Sequence, residues 1–317
     1  MERLRRALPL LAALCALIAL VLCPDAAASS ARDGLKLCAE MLVPSLLPFF
    51  IVSGLLRLLG LPGALGRVVE PVTIRLFALS GAGASAMLLG LTGGYPLGAA
   101  AIADLTRDGL MTPEEAERAL PFCNNTGPAF LIGAAGTGVF HDRELGLMLY
   151  LTHVLAAVIL GILLTPRKAR RVPRERVHLR SLSVGEALPQ AVRGALDATL
   201  TVCGFAVTFS VVTGLLDAGG MLPALSEALA REFETAPQVF RALLSGLLEL
   251  GSGIGAMQGL PSTKQNAALA AFLIGFGGVS VHAQTAAVLS GTGVRLKWHF
   301  WGRVFHGLLA AMMMLVV

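Results

Sequence analysis

Charge is what this sequence has least of. Of 317 residues only 14% are Asp, Glu, Lys or Arg, against roughly 25% in an average soluble domain, while 55% are hydrophobic. So dilute a set of charges cannot wet the surface of a soluble globule of this length. Cysteine pairing is also missing: Cys15, Cys23, Cys38, Cys123 and Cys203 sit in or beside apolar stretches with no CxxC spacing, and read as small apolar residues rather than a disulfide frame or metal site. No GxxxxGK[ST], HExxH or GxSxG run occurs, so the motifs of nucleotide binding, zinc proteolysis and serine hydrolysis are absent. The expectation is a non-enzyme without metal or cofactor. The formal charge of +5 does not point to nucleic acid, because the largest basic group is one short loop rather than an extended face.

What the sequence has in abundance is uninterrupted apolar length. A helix crossing the hydrocarbon layer needs about 20 apolar residues. Stretches free of Asp, Glu, Lys and Arg run over 7–24, 41–56, 76–103, 119–140, 145–166, 198–216 and 265–294, and 242–263 is broken only by Glu249. The last stretch, 297–317, carries Arg303 near its start, where a long side chain is expected to snorkel to the interface. The fold class is an all-α polytopic membrane protein, with the lipid bilayer as its first partner. The first stretch follows a basic Met1 to Arg6 and precedes Ala26, Ala27 and Ala28. It is read as a retained helix rather than a cleaved leader.

Orientation follows from the basic residues. Seven of them, Arg167, Lys168, Arg170, Arg171, Arg174, Arg176 and Arg180, crowd one strip, which is expected in the cytoplasm. The net-negative strips 104–118 and 217–241 are expected outside. A consistent path has about seven crossings, at 7–24, 38–58, 76–103, 145–165, 195–216, 242–262 and 297–317. The segments 119–140 and 265–294 are then hairpins that enter and leave by one side.

The order of features repeats. Ser53-Gly54-Leu55-Leu56 aligns with Thr213-Gly214-Leu215-Leu216, the run Gly90 to Gly98 with Gly246 to Gly255, and Gly136-Thr137-Gly138 with Gly291-Thr292-Gly293. Two repeats, 37–165 and 193–317, separated by a basic linker 166–192 and preceded by the segment 1–30, each cross an odd number of times and so are oppositely oriented. Inverted repeats are a recurring plan of secondary transporters.

Polar residues inside the apolar runs mark the candidate site. Gly94, Tyr95 and Pro96 belong to a segment rich enough in glycine to break a helix. Non-helical backbone at membrane depth is tolerated only where protein, water or ligand satisfies it. Asn124, Asn125 and Thr126 place two amides in an apolar segment, which is costly unless they are paired. They line a solute or ion pocket or, on the other reading, knit helices together. Glu249, followed by Ser252, is a lone intramembrane acid. It holds a coupling cation or proton, contacts a substrate, or pairs with a buried arginine or backbone donor. Ser280, His282 and Gln284 recur at spacing two beside Gly277 and Gly278. His282 and His153, taken singly, read as hydrogen-bonded structural histidines.

Together the runs Val43 to Phe50, Gly93 to Gly98, Cys123 to Phe130, Leu248 to Gly251 and Phe276 to Gln284 resemble the YlbJ family of sporulation integral membrane proteins. That family carries the Gate, or nucleoside-recognition, domain shared with concentrative nucleoside transporters and the ferrous-iron permease FeoB. The resemblance runs from about residue 30 to the end. It implies a permease in the bacterial plasma membrane, at the mother-cell face of the forespore, moving dipicolinic acid. A nucleoside-type permease and a non-transporting scaffold of a sporulation complex are the alternatives. By similarity, the broken segments line the pocket, and half-helix amino ends hold the dianion without a buried Lys or Arg. Gly93 stands where a serine is expected, which removes a hydroxyl.

Overall fold

The computed structural model describes residues 2–165 and 182–317. The seven basic residues from Arg167 to Arg180, and most of the 166–192 linker, lie outside the described residues. Every described element is a helix. α1 (Glu2–Leu22) meets α2 (Pro24–Leu37) at a bend of 103°. α2 then continues through a π-helical segment (Cys38–Leu42) into α3 (Val43–Leu58). Next come α4 (Leu61–Phe77), α5 (Gly81–Gly93), α6 (Leu97–Arg107), α7 (Pro113–Cys123), a second π-helical segment (Ala129–Val139) and α8 (Arg143–Leu163). Beyond the linker follow α9 (Val184–Ala218), α10 (Met221–Glu232), α11 (Pro237–Leu248), α12 (Leu250–Gly255), α13 (Lys264–Phe276), α14 (Gly278–Val288) and α15 (Lys297–Val316). Among the described residues four helical spans are long and apolar enough to cross a membrane, or six if each of two sharply bent pairs counts as one.

The two halves share an element order. Each opens with a helix reaching well beyond the hydrocarbon thickness: residues 24–58 in the first, and the 35-residue α9 in the second, about 50 Å at 1.5 Å per residue. Each long helix ends at a left-handed glycine, Gly60 (φ 84°) or Gly220 (φ 74°), which starts a connecting helix, α4 or α10. A pair of short helices, a broken helix and a final span follow. The long helices pack along each other through small residues: Gly54 sits on Ala191, Gly34 on Val207 and Gly214 on Ser30. Close backbone approach of this kind is what holds helices together in lipid, where burying apolar surface gains little. The final spans do the same. A Cβ on Gly275 of α13 would lie 2.7 Å from the Gly307 nitrogen of α15, and one on Gly136 would lie 2.6 Å from the Gly146 Cα of α8.

Local capping explains where several helices begin. Thr112, Asp142 and Thr263 each accept from a backbone N–H three residues on, at 3.2, 3.0 and 3.2 Å. Ser183 and Glu186 form a reciprocal capping box. Such caps satisfy N–H groups that the helix leaves unpaired.

The ends of the elements divide between two faces. On one face Leu182 N–H donates to Leu58 O (3.1 Å) and Arg57 pairs with Asp104 (3.7 Å). Arg107 donates to Val288 O (2.7 Å), Arg295 pairs with Glu117 (2.9 Å), and Thr165 donates to Leu76 O (2.9 Å). On the other, Arg241 pairs with Asp217 (2.8 Å) and Gln238 donates to Ala256 O and Gln258 O (3.3 and 3.1 Å).

These contacts correct two expectations. First, 76–103 and 242–262 are the hairpins. α5 leaves from Ser80 and α6 returns to Arg107 on the same face, while α11 and α12 meet again through Gln238. At 13, 11, 12 and 6 residues none of these helices reaches across alone. The segments 119–140 and 265–294 instead belong to crossings. α7 starts beside Arg295 and continues through the π-helical segment, and α13 with α14 forms one 25-residue span. Second, the acidic strips lie on opposite faces, not both outside. The acids of 104–118 are used locally, Glu117 by Arg295, Asp104 by Arg57 and Arg107, and acids weigh little in setting orientation. Residues 25–37, beyond the first apolar stretch, are helix packed along α9.

The two faces are open to labelling. In a variant lacking the five native cysteines, Asp108→Cys and Thr235→Cys should react with an impermeant maleimide from opposite sides. Thr235→Cys should label in intact cells and Asp108→Cys only after permeabilisation. Labelling of both in intact cells would refute the placement of the hairpins.

Candidate functional site

Four helix interruptions meet in the middle of the molecule. The first, at Gly94 to Pro96, separates α5 from α6, and Gly94 takes φ 84°. The second, at Asn124 to Gly127, separates α7 from the π-helical segment. The third is at Glu249, between α11 and α12. The fourth is the left-handed Gly277 (φ 88°) between α13 and α14. They abut one another in space. A Cβ on Gly94 would lie 2.7 Å from Gly127 N, one on Gly277 would lie 3.2 Å from the Tyr95 hydroxyl, and one on Gly278 would lie 2.9 Å from Gly246 O. Only glycine lets backbone approach so closely at a positive φ.

The polar residues expected from sequence brace these interruptions. Asn124, fully buried, accepts from Ala99 N (3.2 Å), capping α6, and donates to Thr285 of α14 (3.0 Å). Thr126 donates through its hydroxyl to Ile274 O (3.3 Å), and its N–H donates to His153 Nε2 (3.1 Å). Asn125 donates to Phe122 O (2.7 Å). Glu249 realises the last of its alternatives: its two oxygens accept from Gly251 N (3.0 Å) and Ser252 N (2.6 Å), so the carboxylate caps α12. Gln284 donates to Ser280 Oγ (3.2 Å), and among the described residues its carbonyl oxygen has no partner. His282 stands apart in an aromatic cluster with Phe276, His299 and Phe300. Pro96 is buried at the first interruption.

The centre of the site is a residue the sequence reading sent to the interface. Arg303 is completely buried. Its Nη2 donates to the Tyr95 hydroxyl and to Ile274 O (3.3 Å). Its Nη1 reaches Asn125 Oδ1 (3.2 Å), Pro121 O (3.4 Å) and His306 Nδ1 (3.0 Å), and the guanidinium lies 5.3 Å from the Tyr95 ring centroid. Every one of these partners is neutral, and among the described residues no carboxylate forms an ion pair with Arg303. The carbonyls come from near the carboxyl ends of α7 and α13, where backbone partial charge favours a cation. A signal was present in the sequence. His299, Arg303 and His306 follow the i, i+4, i+7 spacing of one helix face, the face that also carries the buried Gly302 and Gly307.

The His306 and His153 rings lie against each other with centroids 4.3 Å apart and planes tilted by 34°, at matching places in α15 and α8. Their tautomers follow from their partners. The Thr126 N–H can only donate, so His153 Nε2 is unprotonated. The His153 carbonyl can only accept, so His306 Nε2 (3.1 Å away) carries the hydrogen and Nδ1 accepts from Arg303.

Helices of this length, closed around interruptions that protein groups satisfy, define the class: a polytopic α-helical membrane protein with broken helices. Comparison with known proteins narrows this. A family model described as Nucleoside recognition (Gate) matches residues 39–170. The chain is 31% identical over 319 aligned positions to the sporulation integral membrane protein YlbJ of Bacillus subtilis (strain 168), covering 93% of this chain and 78% of that protein. The chain belongs to the YlbJ family of integral membrane proteins. No solved structure matches it.

Two substitutions test the bracing. Glu249→Gln keeps the shape but turns one acceptor into a donor facing an N–H. It should lower stability by about 1–3 kcal/mol, read as a reduced melting temperature without added solute; an unchanged melting temperature would refute the capping role. Gly98→Ala points a methyl at the Cys123 carbonyl and should cost about 1–3 kcal/mol, measured the same way.

Proposed function

We propose that this protein is a secondary-type permease for a small anionic solute, dipicolinate in the first instance, serving spore formation in the plasma membrane. The observation that carries this is the convergence of four interruptions on one buried polar centre between the two halves. Continuous helices would satisfy their own backbone at no cost, whereas interrupted ones recur in transporters where a solute is bound near the midplane. Two oppositely oriented repeats, 37–165 and 193–317 extended backwards to about 24 and 184, fit the same plan: one hairpin returns to one face and the other hairpin to the opposite face. A cavity of about 130 Å³ between α3, α6 and α9, lined by Phe50, Ser53, Leu97 and Ala195 and bordered by Arg57 and Asp104, supports access from the face that carries the basic linker. Gly94, Tyr95, Asn125, Thr126, Ser280 and Gln284 are the groups we assign to the solute pathway. Glu249 and Asn124 keep its walls standing.

The shared domain keeps a nucleoside as the competing solute, and a coupling cation or proton completes the scheme. A scaffold without transport draws on a specific observation of its own: Asn124, Glu249 and Thr126 are all hydrogen-bonded within the protein.

Proteoliposomes holding the wild-type chain should accumulate labelled dipicolinate, and excess uridine should not compete. Asn125→Ala, which leaves the main chain intact and removes one acceptor of Arg303, should slow accumulation about tenfold or more while the protein stays folded. Wild-type uptake no faster than in empty liposomes would end the permease reading, and competition by uridine would transfer it to nucleosides.

A further inference from the structure

The interruptions create four restarting helices, and their amino ends are not treated alike. α6 is capped by Asn124 and α12 by Glu249. The π-helical segment begins at Pro128, which has no N–H of its own to satisfy. α14 begins at Gly277 with no side-chain cap. An uncapped helix start exposes N–H groups and carries partial positive charge. Here it lies beside the Tyr95 hydroxyl, the same hydroxyl that receives a hydrogen bond from Arg303. A full positive charge and a helix start without a side-chain cap therefore lie beside one point, now occupied by a neutral phenol. Arg303 Nε, also fully buried, has no partner among the described residues. Buried charges in proteins are ordinarily paired, and a guanidinium presents the flat donor pattern that matches a carboxylate through two parallel bonds.

We propose that Arg303 and the amino end of α14 form a binding site for a carboxylate group, and that the Tyr95 hydroxyl and the Asn125 side-chain oxygen hold its place while the site is empty. On binding, the carboxylate takes over the Nη2 donor, the Tyr95 hydroxyl turns away, and the formal charge of Arg303 is neutralised. This rests on the permease reading for its physiological meaning but not for its chemistry, since binding requires no transport. It also replaces the expectation of an anion site without a buried cation: the helix start acts with the arginine, not instead of it. The carboxyl ends of α7 and α13 make Arg303 tolerable in the empty state through Pro121 O and Ile274 O, last-turn carbonyls that a helix leaves without an intrahelical donor, but they supply only partial charge.

The test uses purified full-length protein in detergent, with pyridine-2,6-dicarboxylate and its uncharged diamide as probes. Binding is read by calorimetry and by the shift in melting temperature. Wild type should bind the diacid and be stabilised by it, and should bind the diamide at least about 30-fold more weakly. Arg303→Gln should lose at least about 30-fold in diacid affinity, and Arg303→Lys should recover part of it. Should Arg303→Gln fail to fold, Arg303→Lys decides: it keeps the charge but loses the flat paired donors, so it should bind the diacid more weakly than wild type does, and diacid affinity equal to wild type would overturn the proposal. Equal binding of diacid and diamide, no binding of either probe, or a folded Arg303→Gln that binds the diacid like wild type would each overturn it as well. Parallel flux measurements separate the two readings. Flux that survives Arg303→Gln refutes the carboxylate site and spares the permease, whereas diacid binding lost in Arg303→Gln without any wild-type flux refutes the permease and spares the site.

Discussion

The constraint on which everything else depends is that a helix interrupted inside lipid must find partners for the N–H and C=O groups it frees. Four interruptions in one small protein would be prohibitive if each were solved separately. Here they are solved jointly. The second supplies Asn124 to cap the helix after the first, and Thr126 to bind a carbonyl of the helix before the fourth. The third caps itself through Glu249. Glycines at 94, 127, 277 and 278 bring the backbones close enough for this to happen.

Into that lattice α15 inserts an arginine. Of its five hydrogen-bond partners, His306 lies on its own helix and the other four come from the first interruption, from the end of α7 and the second interruption, and from the end of α13, so Arg303 ties the first and second interruptions to the end of α13. The adjoining rings of His153 and His306 extend the tie to α8. A cation in this position makes the centre of the protein electrically positive, while Glu249, the acid nearest in kind, is occupied by its own helix start. This division, one charge spent on structure and the other answered only by neutral groups, is why the two ionisable residues deserve different functional weight.

The position of the interruptions was legible beforehand. Gly-Gly-Tyr-Pro and Asn-Asn-Thr-Gly-Pro announce themselves in apolar surroundings, and Tyr95 and Asn125 do converge on Arg303, while Thr126 shares its Ile274 carbonyl. Which interrupted segments turn back and which continue was not legible. Apolar length counts residues and not direction, so 76–103, 28 residues with a break near the middle, passes equally for a crossing or for two half-depth helices. Arg303 was misplaced for a related reason: a position six residues into a terminal apolar stretch is where snorkelling works if the helix faces lipid, and only packing shows that this face meets Pro121, Leu160 and Ile274.

By itself the sequence determined that this chain lives in a membrane as helices, where those helices fail, and to which family it belongs, because these follow from hydrophobic run length, from glycine and proline, and from local motifs. The tertiary structure alone decided the hairpins, the face on which each strip emerges and the burial of Arg303. Those outcomes depend on which half-helices meet, and a half-helix carries no mark of its partner until small residues from distant parts of the chain let their backbones touch.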